Sequence, residues 1–182
     1  MILILCGKTA SGKTTICNEL VKRGYKKIVT YTTRPKRHGE INGKDYHFIT
    51  EEEFEKKRKE NFFMEFKYYY TENGRWWYGS AAKDYDDSEN KVVILTPDVL
   101  WQIQENCKAD VTSIYVYSNR ETILTRLKER GDNKKEAERR VFADDVDFRG
   151  VTQITDKIVY NNLGDKLSDV VDKILALVKG DE

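Results

Sequence analysis

The sequence predicts an α/β fold: a parallel sheet covered by helices, with an inserted small α+β module. Three observations carry that prediction. Short apolar stretches alternate with helical ones along most of the chain, the pattern of a parallel sheet with helices on its faces. A strand–loop–helix signature sits at the start, where Ile2–Cys6 runs into a glycine-bounded loop and then a helical stretch. Between residues 31 and 90 the pattern breaks into turns, cations and aromatic β-formers, which marks an insert. A chain of 182 residues can build one α/β core and carry such a module.

Taken in order, Ile2–Cys6 is a buried strand and Thr15–Arg23 a helix with Gly24 as its stop. Lys27–Thr30 reads as a strand. From Thr30 to Tyr46, Pro35, Gly39 and Asn42-Gly43 break any regular element. His47–Ile49 is a strand, and Thr50 with Glu53 forms a capping box for a helix to about Glu60. Asn61–Tyr70 is aromatic and β-prone. Asn73-Gly74 is a hairpin turn, Arg75–Tyr78 the returning strand, and Gly79-Ser80 its end. Lys91–Leu95 is a core strand, Asp98–Asn106 a helix and Val111–Tyr117 another strand. Ser118 caps a helix over Glu121–Arg130, which Gly131-Asp132-Asn133 breaks. A charged helical stretch covers Lys134–Phe148. Lys157–Tyr160 is the last strand, and Asp165–Val178 an amphipathic helix with Leu167, Val170, Val171, Ile174, Leu175 and Val178 on one face. No internal repeat or low-complexity linker is present. The chain therefore divides into a core (1–30 and 91–182) and an inserted module (31–90).

Charged residues are 35% and hydrophobic residues 39%, the composition of a soluble globular protein. A net charge of +1 gives no case for nucleic acid or a membrane surface as partner. Three widely spaced cysteines, Cys6, Cys17 and Cys107, argue against a disulfide framework or a zinc site. Cys6 and Cys17 lie in apolar contexts as buried thiols of a reducing compartment. No signal peptide and no membrane-length apolar run are visible, so the expected location is cytoplasmic.

Gly7-Lys8-Thr9-Ala10-Ser11-Gly12-Lys13-Thr14 fits G-x-x-x-x-G-K-[ST], a loop that cradles nucleotide phosphates. The two glycines let successive backbone N–H groups face one phosphate chain, and the following helix adds its positive N-terminus. Lys13 would bridge the β- and γ-phosphates, and the Thr14 hydroxyl would ligate Mg²⁺. A glycine-rich turn with a chance lysine is the alternative; the flanking strand and helix argue against it.

The loop says nothing of the acceptor, for which three other places are informative. Arg34 and Arg37, three residues apart with Tyr46 nearby, suit a dianionic monophosphate, because guanidinium forks grip phosphate oxygens in pairs. A solvated basic loop would look the same. Glu65, inside Phe62-Phe63-Met64-Glu65-Phe66, is either a carboxylate buried with a donor or one on the solvent face of a period-2 strand. Buried, it could accept from the adjacent N1–H and N2 amino donors of guanine. Tyr78-Gly79-Ser80 could hold phosphate and base, or merely end a strand. His38 and His47, the only histidines, read as structural or solvent-exposed.

In order, these pieces—the loop, then T-T-R-P-x-R-x-G-E-x-x-G-x-D-Y-x-F over Thr32–Phe48, F-x-E and Y-G-S—resemble guanylate kinase, the enzyme that phosphorylates GMP to GDP. The resemblance runs from Ile2 to the last helix. It implies ATP as donor with Mg²⁺, GMP or dGMP as acceptor, and a monomer or homodimer. By resemblance, Thr30, Arg34, Arg37, Tyr46 and Tyr78 would bind the GMP phosphate side, and Glu65, Ser80 and Asp98 would read guanine. The resemblance also implies a helical lid at about 126–149 within the core, with Arg126, Arg130 and Arg140 at the family's lid arginines, and it puts Asn161 near the adenine side. The implied catalytic set is Lys13, Arg34, Arg37, Arg130 and Arg140. Lys8 stands where the family usually has proline. Thr96 stands where an acidic residue often precedes the aspartate aligned with Asp98. One rival reading is a scaffold-type relative that holds phosphorylated peptides, against which the intact Gly12-Lys13-Thr14 favours the enzyme; a second is a kinase of the same loop type for another phosphorylated small molecule, against which Glu65 and Tyr78-Gly79-Ser80 argue for guanine. No general base is needed, since a phosphate monoester at neutral pH is already a nucleophile.

Overall fold

The computed structural model describes residues 1–71 and 74–180. Its centre is β1 (Ile2–Cys6), buried along its whole length. The strand owes that position to its composition, since only a strand covered on both faces can be continuously apolar. Leu3 and Leu5 point to one side, Ile2, Ile4 and Cys6 to the other.

β1 lies between β7 (Lys91–Ile94) and β8 (Val111–Tyr117) in a five-stranded sheet, with β2 (Lys26–Lys27) and β9 (Lys157–Tyr160) at its edges. The order is β2-β7-β1-β8-β9 and every pairing is parallel. One face is covered by α1 (Lys13–Lys22) and α6 (Leu167–Lys179), through Ile16, Leu20, Val170, Val171 and Ile174. The other face receives α3 (Leu100–Asn106) and the end of α5 (Lys134–Asp147), through Leu100, Ile103 and Phe148. Among the described residues no helix is long and apolar enough to cross a membrane.

A second, four-stranded sheet has the order β4-β3-β6-β5, built from β3 (Tyr31–Thr32), β4 (His47–Phe48), β5 (Phe63–Thr71) and β6 (Gly74–Ala81). α2 (Glu51–Lys59) packs on it by its one buried residue, Phe54, which stacks on Phe63 at 4.4 Å. The capping box is formed: Glu53 N–H donates to the Thr50 hydroxyl at 3.1 Å, and Thr50 N–H to the Glu53 carboxylate at 2.8 Å. Contacts that dock this sheet on the core include the Gln102 amide, bonded both ways to the Phe66 backbone, and the Tyr69 hydroxyl on the Thr96 hydroxyl at 2.6 Å.

The structure differs from expectation at several elements. β2 is only Lys26–Lys27 rather than Lys27–Thr30, because the chain leaves the first sheet at Ile28 and pairs with the second at Tyr31. Thr30–Tyr46 is therefore not all loop. The helix α4 (Arg120–Glu129) is capped by Asn119, whose side chain accepts from Thr122 N–H at 2.8 Å. Ser118 is instead turned inward and donates to the Asn161 carbonyl at 2.5 Å. Asn73 of the expected hairpin turn lies outside the described residues.

Candidate active site

The loop after β1 wraps around Lys13. Its ammonium donates to the carbonyls of Gly7 and Lys8, at 2.6 and 2.8 Å. Burial pulls its pKa down to about 8, the Asp144 carboxylate resisting that shift. Ala10, at φ 55°, is held in the left-handed region that L-residues avoid, a strain typical of ligand-gripping loops.

Both glycines are required by what surrounds them. A Cβ on Gly7 would meet the Ser11 hydroxyl at 2.6 Å and the Val116 carbonyl at 2.7 Å. A Cβ on Gly12, at φ +94°, would meet the Asn161 amide nitrogen at 2.3 Å. That amide donates to the Ser11 carbonyl at 2.8 Å. Arg126 then donates to the Ala10 carbonyl and to both oxygens of Asn161, at 3.2–3.3 Å. Asn161, expected near a base, thus also serves as a buried brace of the loop.

Two cavities open on either side of Lys13, which lines both. The first, about 380 Å³, is bounded by Ala10, Gly12, Lys13, Thr14, Arg126, Arg130 and Asn161. Thr14 is exposed there at the start of α1. The second, about 350 Å³, lies between the two sheets and includes Gly7, Thr9, Lys13, Thr30, Tyr46, Glu65, Tyr78, Arg140 and Asp144.

Glu65 is 3% exposed. It accepts from the Ser80 hydroxyl at 2.7 Å, and Ser80 in turn contacts the Tyr85 hydroxyl at 2.8 Å. Burial raises the Glu65 pKa to about 7, against the Ser80 hydrogen bonds. A break in strand period aims it inward. Phe63 pairs with Ala81 but Glu65 with Ser80, so the intervening Met64 is an extra residue and the pleat changes phase there.

Not every expected residue reaches a cavity wall. Ser80 is fully buried and touches the site only through Glu65. Asp98 is turned to an ion pair with Lys67. Arg34 is 8% exposed, pairs with Glu40 at 2.7 Å and lies 5.5 Å from the centre of the Tyr46 ring. Arg37 is exposed beside it, its N–H held by the same Glu40 at 2.7 Å. Arg130 faces the first cavity and pairs with Asp132, its Nε at 3.0 Å. Arg140 faces the second and reaches the same Asp132 at 3.7 Å. The Arg130 guanidinium holds the Asp132 carboxyl below its ordinary range.

Sequence reasoning did not single out Tyr69 or Asp144, both of which line the second cavity. An aromatic strand shows its cavity-facing positions only once its register is known. Asp144 shows nothing until the charged helix that carries it is docked.

The lysine shared by two cavities, a buried carboxylate and nearby arginines make an arrangement that can hold two anionic ligands. A family model for guanylate kinase matches residues 1–177. The chain is 31% identical over 190 residues to the guanylate kinase of Thermotoga maritima, covering 99% of this chain and 86% of that one. It is 29% identical over 187 residues to that of Clostridium tetani, covering 100% and 86%. A crystal structure of guanylate kinase from Anaplasma phagocytophilum shares the fold, with a TM-score of 0.71 at 20% identity over 100% of this chain and 85% of that one. On a family match that spans nearly its whole length, this chain belongs to the guanylate kinase family.

Proposed function

We infer that the chain is an ATP:GMP phosphotransferase, moving the γ-phosphoryl group of ATP to GMP (and dGMP) to give ADP and GDP. The observation that carries this is Lys13, a residue that lines both cavities. The first cavity takes ATP, with Arg126 and Arg130 on its wall and the glycine loop beneath the phosphates. The second takes GMP: Glu65 accepts from guanine, while Tyr46, Tyr78 and Thr30 surround the rest. Arg34 and Arg37 hold the monophosphate from the adjoining loop, and Ser80 orients Glu65. Asp98 joins the guanine side once Lys67 releases it.

The chemistry is mostly electrostatic. Two polyanions must touch, and the transferring group spreads charge over its oxygens. Lys13, Arg130 and Arg140 meet that charge from three elements, and closure of the inserted module and lid would exclude water that would otherwise hydrolyse ATP. Thr14 fits a Mg²⁺ ligand. It offers a hard oxygen beside the phosphate loop, and Mg²⁺ needs few protein ligands when phosphates and water supply the rest. Such an ion would neutralise the β- and γ-phosphates when bound. Residues 31–90 act as the GMP-binding module and 126–149 as the lid, closing as the phosphates draw in their arginines. Purine nucleotide metabolism in the cytoplasm is the setting this reading implies.

The test is a coupled assay with ATP, Mg²⁺ and a panel of nucleoside monophosphates. GMP should be the preferred acceptor. Failure to form GDP, or equal use of AMP, would overturn the assignment.

A further inference from the structure

Several cations of this site are paired with carboxylates of the chain itself. Glu40 pairs with Arg34, and Asp132 with Arg130 and Arg140. A third case differs in kind. The Asp144 carboxylate accepts from the backbone N–H of Thr9 at 2.5 Å, in the middle of the phosphate loop. It lines the same cavity as Lys13, whose charge acts on it. Its neighbour Asp145 takes the Lys8 ammonium at 2.5 Å and Arg120 at 3.3 Å. Two successive residues of α5 thus fasten it to two successive residues of the loop.

A carboxylate on a backbone N–H has the charge and acceptor geometry of a phosphate oxygen. Arg140 lies four residues before Asp144, one helical turn away, and lines the same cavity. The helix therefore carries a phosphate substitute and a phosphate ligand side by side.

We propose that Asp144 is a guard of the phosphate loop: without nucleotide it occupies Thr9 N–H, and incoming phosphate displaces it, freeing α5 to bring Arg140 onto the reacting groups. This rests on the phosphotransferase reading above. The contact links loop occupancy to helix position, so the loop is fully open only when the arginine is free to move. It also lowers apparent ATP affinity, because only the unguarded fraction of the protein binds.

The experiment compares wild type with Asp144→Ala and Asp144→Asn by two readouts. Equilibrium binding of ATP should tighten roughly tenfold in Asp144→Ala, as for a guard that is closed about nine times in ten, with Asp144→Asn intermediate. Adenosine, which has no phosphate, should bind all three alike. Amide hydrogen exchange should show Thr9 N–H protected in nucleotide-free wild type and unprotected in nucleotide-free Asp144→Ala, with ATP restoring protection. Thr9 equally protected in the alanine variant, or ATP and adenosine affinities moving together, would overturn the proposal. Should the alanine variant not fold, the near-isosteric asparagine variant reads the same two quantities. Absence of GDP formation by wild type would instead sink the phosphotransferase reading, whatever Thr9 does.

Discussion

Replacing Glu65 by glutamine should stabilise the protein and cripple GMP binding at once. The rise of its pKa from the ordinary 4.5 to about 7 reflects a carboxylate that is costly to bury. The sign follows. With the folded value above the unfolded one, the group favours the fold fully below 4.5, and that contribution is lost as pH rises through about 7. At about 1.4 kcal/mol per pH unit the loss is about 3 kcal/mol. An amide carries no charge and keeps an acceptor for the Ser80 hydroxyl. Allowing about 1 kcal/mol for one weakened hydrogen bond leaves a gain of about 2 kcal/mol near pH 8. For a chain of this size that is a rise of roughly 4–8 °C in Tm. Near pH 5 most Glu65 is protonated in the native protein, so the gain should largely disappear. GMP meanwhile loses a charged acceptor worth about 1.5–3 kcal/mol, which raises its KM roughly 10- to 100-fold. Thermal melts at the two pH values and GMP kinetics measure both. A Glu65→Gln protein less stable than wild type near pH 8 would refute the burial argument. An unchanged GMP KM would remove Glu65 from guanine recognition.

Other perturbations test neighbouring parts of the site. Lys13→Ala should lower kcat by roughly 100-fold or more while leaving circular dichroism unchanged, since one half-buried cation serves both cavities; near-normal turnover would contradict its shared role. Gly12→Ala forces a Cβ into the Asn161 amide at φ +94°. The left-handed strain and one broken hydrogen bond together should cost roughly 2–3 kcal/mol, read as a fall in Tm. Arg37→Ala should raise the GMP KM about tenfold or more, as loss of a charge-assisted bond predicts, with little change in ATP KM or Tm because the side chain is exposed. Equal effects on both substrates would count against a monophosphate clamp.

Much of this protein is legible in one dimension because its signals are local. The glycine loop is eight consecutive residues between a strand and a helix, and each part depends only on near neighbours. The alternation of apolar strands with helices dictated the parallel sheet for the same reason, and the Thr50–Glu53 cap formed as written. Glu65 marks the limit. Its flanking aromatics allowed either face of a strand, and the choice fell to a single extra residue, Met64, in the pairing of β5 with β6. The counter-ions of the arginines were equally invisible. Asp132 joins Arg130 to Arg140, and Asp144 meets Thr9 across 135 positions of chain. Sequence alone determined which chemical groups the protein owns and the short elements that carry them. Register and helix docking decided which of those groups face one another, because burial and charge act through space and not along the backbone.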